Sequence, residues 1–221
     1  MCATTEKRLS DIVHERRATP AFCDAPVRDE DLEKILRAGL EAPSSYNMQP
    51  WRFVVVRDPE QRRRLRVAAL GQEVVEQAPA VIVACGDTDG WRDDLEEVVQ
   101  IGRDRGFNVD SQIERKRQNV TKDLGSHPNL SMWVTKQTMI AATTMMWMAE
   151  ALGYDTSPME GFDEDQVRDV LGIPAHVRVV LLLAVGHLHG EDGRYPGRLP
   201  ASRTVFADRY GPPARVAPER P

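Results

Sequence analysis

The sequence predicts an α+β chain built on one central sheet of four or five strands, with helices on both faces. Three observations predict it. Apolar, β-branched runs recur at 51–56, 80–86 and 177–186, and read as buried strands. Between them lie stretches with helical periodicity and capping signals. Strands and helices interleave, with no run of hairpins, so the layers stack helix on sheet.

In chain order, Ser10 to Arg17 reads as a short helix ended before Pro20. Asp29-Glu30-Asp31 sets acids on a first helical turn, where the helix dipole favours them. Leu32, Ile35, Leu36, Gly39 and Leu40 follow as one core-facing stripe, stopped by Pro43. After the strand Trp51–Val56, Asp58 is placed to cap a helix, Pro59 suits its first position, and Gln61 can close a capping box. That helix ends near Gly71, and a shorter one covers Glu73 to Gln77. Pro79 precedes the second strand, Ala80 to Gly86.

Residues 87–125 are heavily charged, with apolar residues too sparse for a central strand. Ser111 and Glu114 form a capping-box pattern, predicting a helix over 112–124. The segment reads as a solvated helical excursion, or as a lid that shapes substrate access. Ser131 to Leu152 is apolar over much of its circumference, which predicts burial in the core or against a partner subunit, with Gly153 as C-cap. Its methionines read as core filler. Tyr154 to Ser157 is a short strand, and Asp163 with Gln166 opens the next helix. Val177 to Gly186 is continuously apolar, a central strand covered on both faces. Residues 190–200 form a loop, and the Pro-rich tail from Gly211 is read as loose.

The 221 residues suffice for one sizeable domain, taken as 1–210 with the excursion at 87–125 and the tail at 211–221. A formal charge of −5 steers the chain neither to nucleic acid nor to an anionic membrane. Cys2, Cys23 and Cys85 are scattered and lack metal spacing, so a reduced cytoplasm is the simplest home. The N-terminus has no apolar run of the signal-peptide kind, and no stretch reaches membrane-span length. There is no G-x-G-x-x-G, Walker A loop or G-x-S-x-G elbow. His187 and His189 lack a nearby third ligand, so they read as loop residues, not as a metal site. With no obvious nucleophile or redox side chain, an enzyme of this sequence needs a cofactor for its chemistry.

The most suggestive stretch is Ala42–Val56, APSSYNMQPWRFVVV. A loop with two hydroxyls and two amides, set between a helix and a strand, makes an element-end site for a polar ligand or an ordinary self-bonded turn. This stretch resembles the P-S-x-x-N-x-Q-P-W motif of the FMN-dependent nitroreductase family. Three further matches follow the family order. Glu15 to Phe22 resembles its R-R-S-x-R-x-F, Ser157 to Asp163 its P-x-E-G-F-D, and Leu199 to Arg203 its L-P-K-S-R. The resemblance runs from about residue 8 to 210.

The resemblance implies a nitroreductase-like mixed or antiparallel sheet flanked by helices, in an intertwined homodimer with FMN at the subunit interface. It implies a ping-pong cycle in which NAD(P)H reduces the flavin and a small-molecule acceptor, a quinone, nitroaromatic or related electrophile, reoxidises it. The flavin N5 does the chemistry, so no side chain is catalytic. Arg16, Arg17 and Arg203 would meet the phosphate, for which the forked guanidinium is suited. Ala18 and Pro20 stand where the family has a serine and a second basic residue, and Ala201 where it has lysine. The pocket thus has fewer donors, and Arg17 or Arg198 would compensate. Pro43, Ser44, Ser45, Asn47 and Gln49 form the flavin loop, contributed partly by the partner subunit. Gln72 would lie at the flavin edge. Pro158, Met159, Glu160 and Gly161 form the backbone strip over N5, where Gly161 permits close approach. The segment 87–125 and Met159 look most similar to the quinone-responsive bacterial subgroup. A flavin carrier or sensor with little turnover, or an FMN dehydrogenase of one metabolite, is the alternative.

Overall fold

The protein is described from a computed structural model, covering residues 7–191 and 195–216. Four strands form one sheet in the order β1 (Trp51–Val56), β2 (Ala80–Asp87), β4 (Val177–Gly186), β3 (Asp155–Met159), every neighbouring pair antiparallel. The sheet thus has four strands among the described residues, the lower of the two expected numbers.

Around it lie α1 (Leu9–Glu15), α2 (Asp29–Leu40), α3 (Pro59–Ala68), α4 (Glu73–Gln77), α5 (Gly90–Asp93), α6 (Leu95–Asp104), α7 (Asp110–Gly125), α8 (Leu130–Ala151) and α9 (Glu164–Leu171). On one sheet face, Leu65 of α3, Val75 of α4 and Val167 of α9 share a core with Val81, Val83, Cys85, Leu182 and Ala184. On the other, Ile35 of α2 and Met145 of α8 share a core with Ile82, Ala84, Leu181 and Leu183. Each buried Val, Leu, Ile or Met among them contributes ~1.5–3 kcal/mol. The register shifts where Ala84 pairs with Leu181 but Cys85 with Val179, leaving Val180 as the extra residue of a β-bulge. That shift is why Val179 and Leu182, three apart, face the same core. A continuous apolar run is the habit of parallel strands; here an antiparallel strand has it because helices cover both faces.

The local signals hold with exceptions. Asp58 Oδ1 accepts from the Gln61 N–H at 2.8 Å, but the Gln61 Oε1 is buried without a partner, so the capping box closes on one side only. Ser111 does not cap α7, which starts two residues earlier than expected, at Asp110 behind Val109. Asn129, not singled out by the pattern, caps α8 through the Met132 N–H at 2.9 Å. Leu40 leaves the α2 stripe and is 51 % exposed. Gly39 stays because α8 presses on it: a Cβ there would stand 2.1 Å from Met145 Cε.

Residues 87–125 do not form a solvated excursion. Trp91, Leu95, Val98, Val99, Ile113, Val120 and Leu124 build a third core with Trp133 and Val134 of α8. Two short helices, α5 and α6, precede the expected one; their apolar residues are few, but Trp91, Leu95, Val98 and Val99 fall on the buried side. The tail from Gly211 is not wholly loose. Pro213 bridges to Phe206, and the Ala214 N–H donates to the Val205 carbonyl at 3.0 Å. The rest of that expected tail, 217–221, lies outside the described residues. Among the described residues no helix is long and apolar enough to cross a membrane.

Candidate active site

The first and third motifs meet at the β3 edge of the sheet. The Thr19 N–H donates to the Thr156 carbonyl at 3.0 Å, and Ala18 bridges Thr156 in parallel fashion. This places Arg16 and Arg17, just before Ala18, beside the start of β3. The Arg16 Nη1 is buried and has no hydrogen-bond partner among the described residues. Burial, and then the like charges of Arg17 and Arg198, hold that guanidinium below its ordinary value against the pull of Glu150. Arg17 stacks over the Tyr195 ring at 4.4 Å, and Arg198 lies over the same ring at 5.3 Å. Two arginines on one aromatic ring, and beside them Arg16 with a dry and idle N–H, make a site poised for an anion. The neighbouring cleft of about 430 Å³ is a different environment, because Glu15, Glu150 and Asp155 line it beside Lys7, His14 and Arg17.

Arg198 is the C-terminal arginine whose charge bears on Arg16. Arg203 sits in the turn Ala201–Arg203 and is exposed, as is Pro20. Arg198 was legible as a substitute donor; Tyr195 carried no signal in the sequence.

Further along the same edge, Pro158 and Met159 end β3, and Glu160 and Gly161 continue as exposed backbone. Gln72 reaches this strip from the turn between α3 and α4, donating to the Gly161 carbonyl. A Cβ at Gly161 would stand 3.6 Å from Gln72 Nε2, an ordinary contact. The described chain therefore does not itself demand glycine there. A groove of about 250 Å³ beside Glu160 is lined by Thr135, Phe162, Glu164 and Arg178.

The second motif is elsewhere. Ser44 to Gln49 precedes β1, at the opposite edge of the sheet. Trp51 pairs with Gly86 and Gly86 with Arg178, whereas Thr156 pairs with Val185. Three strand spacings across and about six residue rises along put Thr156 and Trp51 roughly 25 Å apart. One chain thus holds two groups of motif residues at opposite corners of its sheet.

The loop itself is tightly tied. The Ser45 N–H donates to Gln137 Oε1 at 2.9 Å, and the Gln49 N–H to Ser44 Oγ at 3.0 Å. Gln49 Nε2 donates to the Asn47 carbonyl at 3.1 Å. Pro43 and Asn47 are exposed. Tyr46, Asn47 and Gln49 take left-handed backbone at φ 59°, 57° and 48°. For non-glycine residues this costs ~1 kcal/mol or more each, asparagine least. Gln137, buried with its neighbour Thr138 on a largely apolar helix, could have been suspected from that contrast.

Residues 13–187 match the family described as Nitroreductase family. The chain belongs to the nitroreductase family. Among its relatives, a Thermus thermophilus protein named "NADH dehydrogenase" is 38% identical over 192 residues, spanning 87% of this chain and 92% of its own. The nitroreductase fold is seen in the crystal structure of an Exiguobacterium sibiricum protein in complex with FMN. It superposes at a TM-score of 0.84 with 28% identity, covering 92% of this chain and 99% of that one.

Proposed function

We propose that this nitroreductase-family oxidoreductase binds FMN, takes reducing equivalents from NAD(P)H, and delivers them to a quinone, nitroaromatic or related conjugated electrophile. The observation that carries the reading is the buried, unpartnered Arg16 Nη1 among Arg17 and Arg198. A phosphate monoester is a ligand with the charge and acceptor count to answer it. Arg16, Arg17 and Arg198 would hold that phosphate, and Arg198 offsets the donors missing at Ala18, Pro20 and Ala201. Gln72 would fix the Gly161 carbonyl, leaving backbone N–H groups of the 158–161 strip free to face the ring. The tolerance of the chain for a Cβ at Gly161 agrees with a ligand, not the protein, needing that space. When bound, FMN supplies the two-electron transfer that no side chain here offers. A relative named as an NADH dehydrogenase favours a nicotinamide donor.

Two copies would complete each site. The Ser44–Gln49 loop lies across the sheet from the arginines of its own chain, too far for one flavin to join them. Met132 and Ile140 of α8 stand 54 % and 40 % exposed at helical spacing, apolar surface suited to a second copy. With Asn47 and Gln49 supplied by the partner subunit, both amides would be available to ribityl hydroxyls or ring carbonyls.

The purified chain should be yellow and dimeric, be bleached by NADH or NADPH, and turn over with menadione. A colourless monomer that takes up no added FMN refutes this function. Bound flavin with no turnover on any quinone or nitro compound would instead favour the carrier reading, which the absent donors at 18, 20 and 201 motivate.

A further inference from the structure

Between Ser44 and Pro50, Tyr46, Asn47 and Gln49 hold left-handed backbone without being glycine. Asparagine tolerates this region, but tyrosine and glutamine rarely enter it, so the surroundings must impose it. Two anchors come from the 87–125 segment. The Tyr46 phenol donates to the Asp123 carboxylate on α7. Met48, between the left-handed residues, is fully buried in the core that Trp91, Leu95, Val120 and Leu124 supply. A third anchor is Gln137 on α8, through the Ser45 N–H. At the strand end the same segment takes hold again, with Arg52 Nη2 at 2.5 Å from Asp94 and 3.1 Å from Asp87. The loop is therefore gripped before, within and after its strained residues, mostly from one segment.

We propose that the 87–125 segment is a positioning element: the Tyr46–Asp123 bond and the Met48 socket hold the loop so that Asn47 and Gln49 present their amides to the flavin. This rests on the FMN reading above. Neither Tyr46 nor Asp123 need touch the cofactor; they act through the backbone of their neighbours. The segment then sets how the flavin is held, in addition to shaping access to it.

The test compares Tyr46→Phe, Asp123→Ala, the double variant and Asp123→Glu in the full chain. Both partners lie at the surface, so the fold and its melting temperature should be nearly unchanged. Fluorescence titration of the flavin-free chain should show FMN dissociation constants raised about three- to tenfold in either single variant. The double variant should lose no more than one single, and Asp123→Glu, still able to accept a hydrogen bond from the phenol, should recover part of the loss. The flavin midpoint potential should move in the same variants. Hydrogen exchange at the 47 and 49 amides should quicken in the flavin-free variants. Affinity within twofold of the parent with an unchanged potential, or additive losses in the double variant, overturns the proposal. A parent chain that takes up no FMN defeats the function proposed above; loop exchange unchanged between parent and variants then defeats this inference separately.

Discussion

Gln72 Nε2 donates to the carbonyl of Gly161 at 2.7 Å and to that of Ala69 at 3.1 Å. One amide thereby ties the end of α3 to the strip that follows β3. The Asp163 N–H reinforces the link by donating to the Ala68 carbonyl at 2.8 Å. Gln72→Ala should lower stability by about 1 kcal/mol, read as a shift in the thermal midpoint. It should also cost roughly five- to tenfold in kcat/KM, because the Gly161 carbonyl is released. Gln72→Glu should do no better, since a carboxylate cannot donate to that carbonyl. Full activity in either variant would show that the link is structural only.

The three C- and N-terminal arginines should separate in a cofactor titration. Arg16→Ala removes the idle buried donor and should raise the FMN dissociation constant about 10- to 100-fold, the range of charge-assisted hydrogen bonds. Arg198→Ala should fall between Arg16→Ala and the parent. Arg203→Ala, exposed in its turn, should change affinity by less than about threefold, an effect of long-range charge alone. A larger loss at Arg203 than at Arg16 would reverse the assignment.

A buried acid predicts an acid limb to stability. Burial pushes the Asp31 carboxyl up, but hydrogen bonds from Arg28, Lys34 and the Tyr154 hydroxyl outweigh it and leave the group below the usual carboxylate range. A carboxylate depressed in the folded state contributes stability that is fully present above its unfolded pKa. That contribution is lost as pH falls through the folded value. Stability attributable to Asp31 should therefore persist at neutral pH and fade below about pH 4. Asp31→Asn should cost ~1–2 kcal/mol at pH 7, modest because Arg28 and Lys34 keep contact with water. The variant and parent should converge in urea midpoint as the pH is lowered towards 3. A constant gap across that range would mean that shape, not charge, is what Asp31 supplies.

Thiol labelling should discriminate Cys85 from Cys23. Burial, with a further push from Glu164, raises the Cys85 thiol to about 12, although Arg168 opposes it. Its thiolate fraction at pH 8 is negligible, and its sulfur is enclosed in the core. Cys85 should resist alkylation in the native protein and react only on unfolding, whereas half-buried Cys23 should react more slowly than a free thiol but measurably. Peptide mapping by mass spectrometry reads both sites. Native labelling of Cys85 would mean that the β2 core opens under those conditions.

Much of the scaffold was legible because local chemistry and tertiary packing agree. The helix Glu73–Gln77 and the caps at Asp58 and Asp163 stand where pattern and residue type place them. What escaped depends on contacts distant in sequence. Nothing local says that Gln61 will bury its amide oxygen unpaired, or that Asn129 will win the cap of α8. Sparse apolar residues in 87–125 hid a core because that core closes only on Trp133 and Val134 of α8 and on Met48, all outside the segment. The loop motif announced polar groups at an element end, but not the left-handed turn of Tyr46 and Gln49. Those residues have no local preference for it and are held there by α7 and α8. The residues of the arginine cluster were legible, Arg16 and Arg17 in one motif and Arg198 as a substitute donor, but not the Tyr195 ring that Arg17 and Arg198 share.

The placement of the two motif groups at opposite sheet corners reaches beyond a single molecule. In the proposed dimer, every pocket would draw its arginines from one copy and its amide loop from the other. A chain crippled at Arg16 and a chain crippled at Asn47, each inert alone, would then rescue one another when co-expressed. The mixed pair would concentrate both lesions in a single pocket and leave its twin untouched.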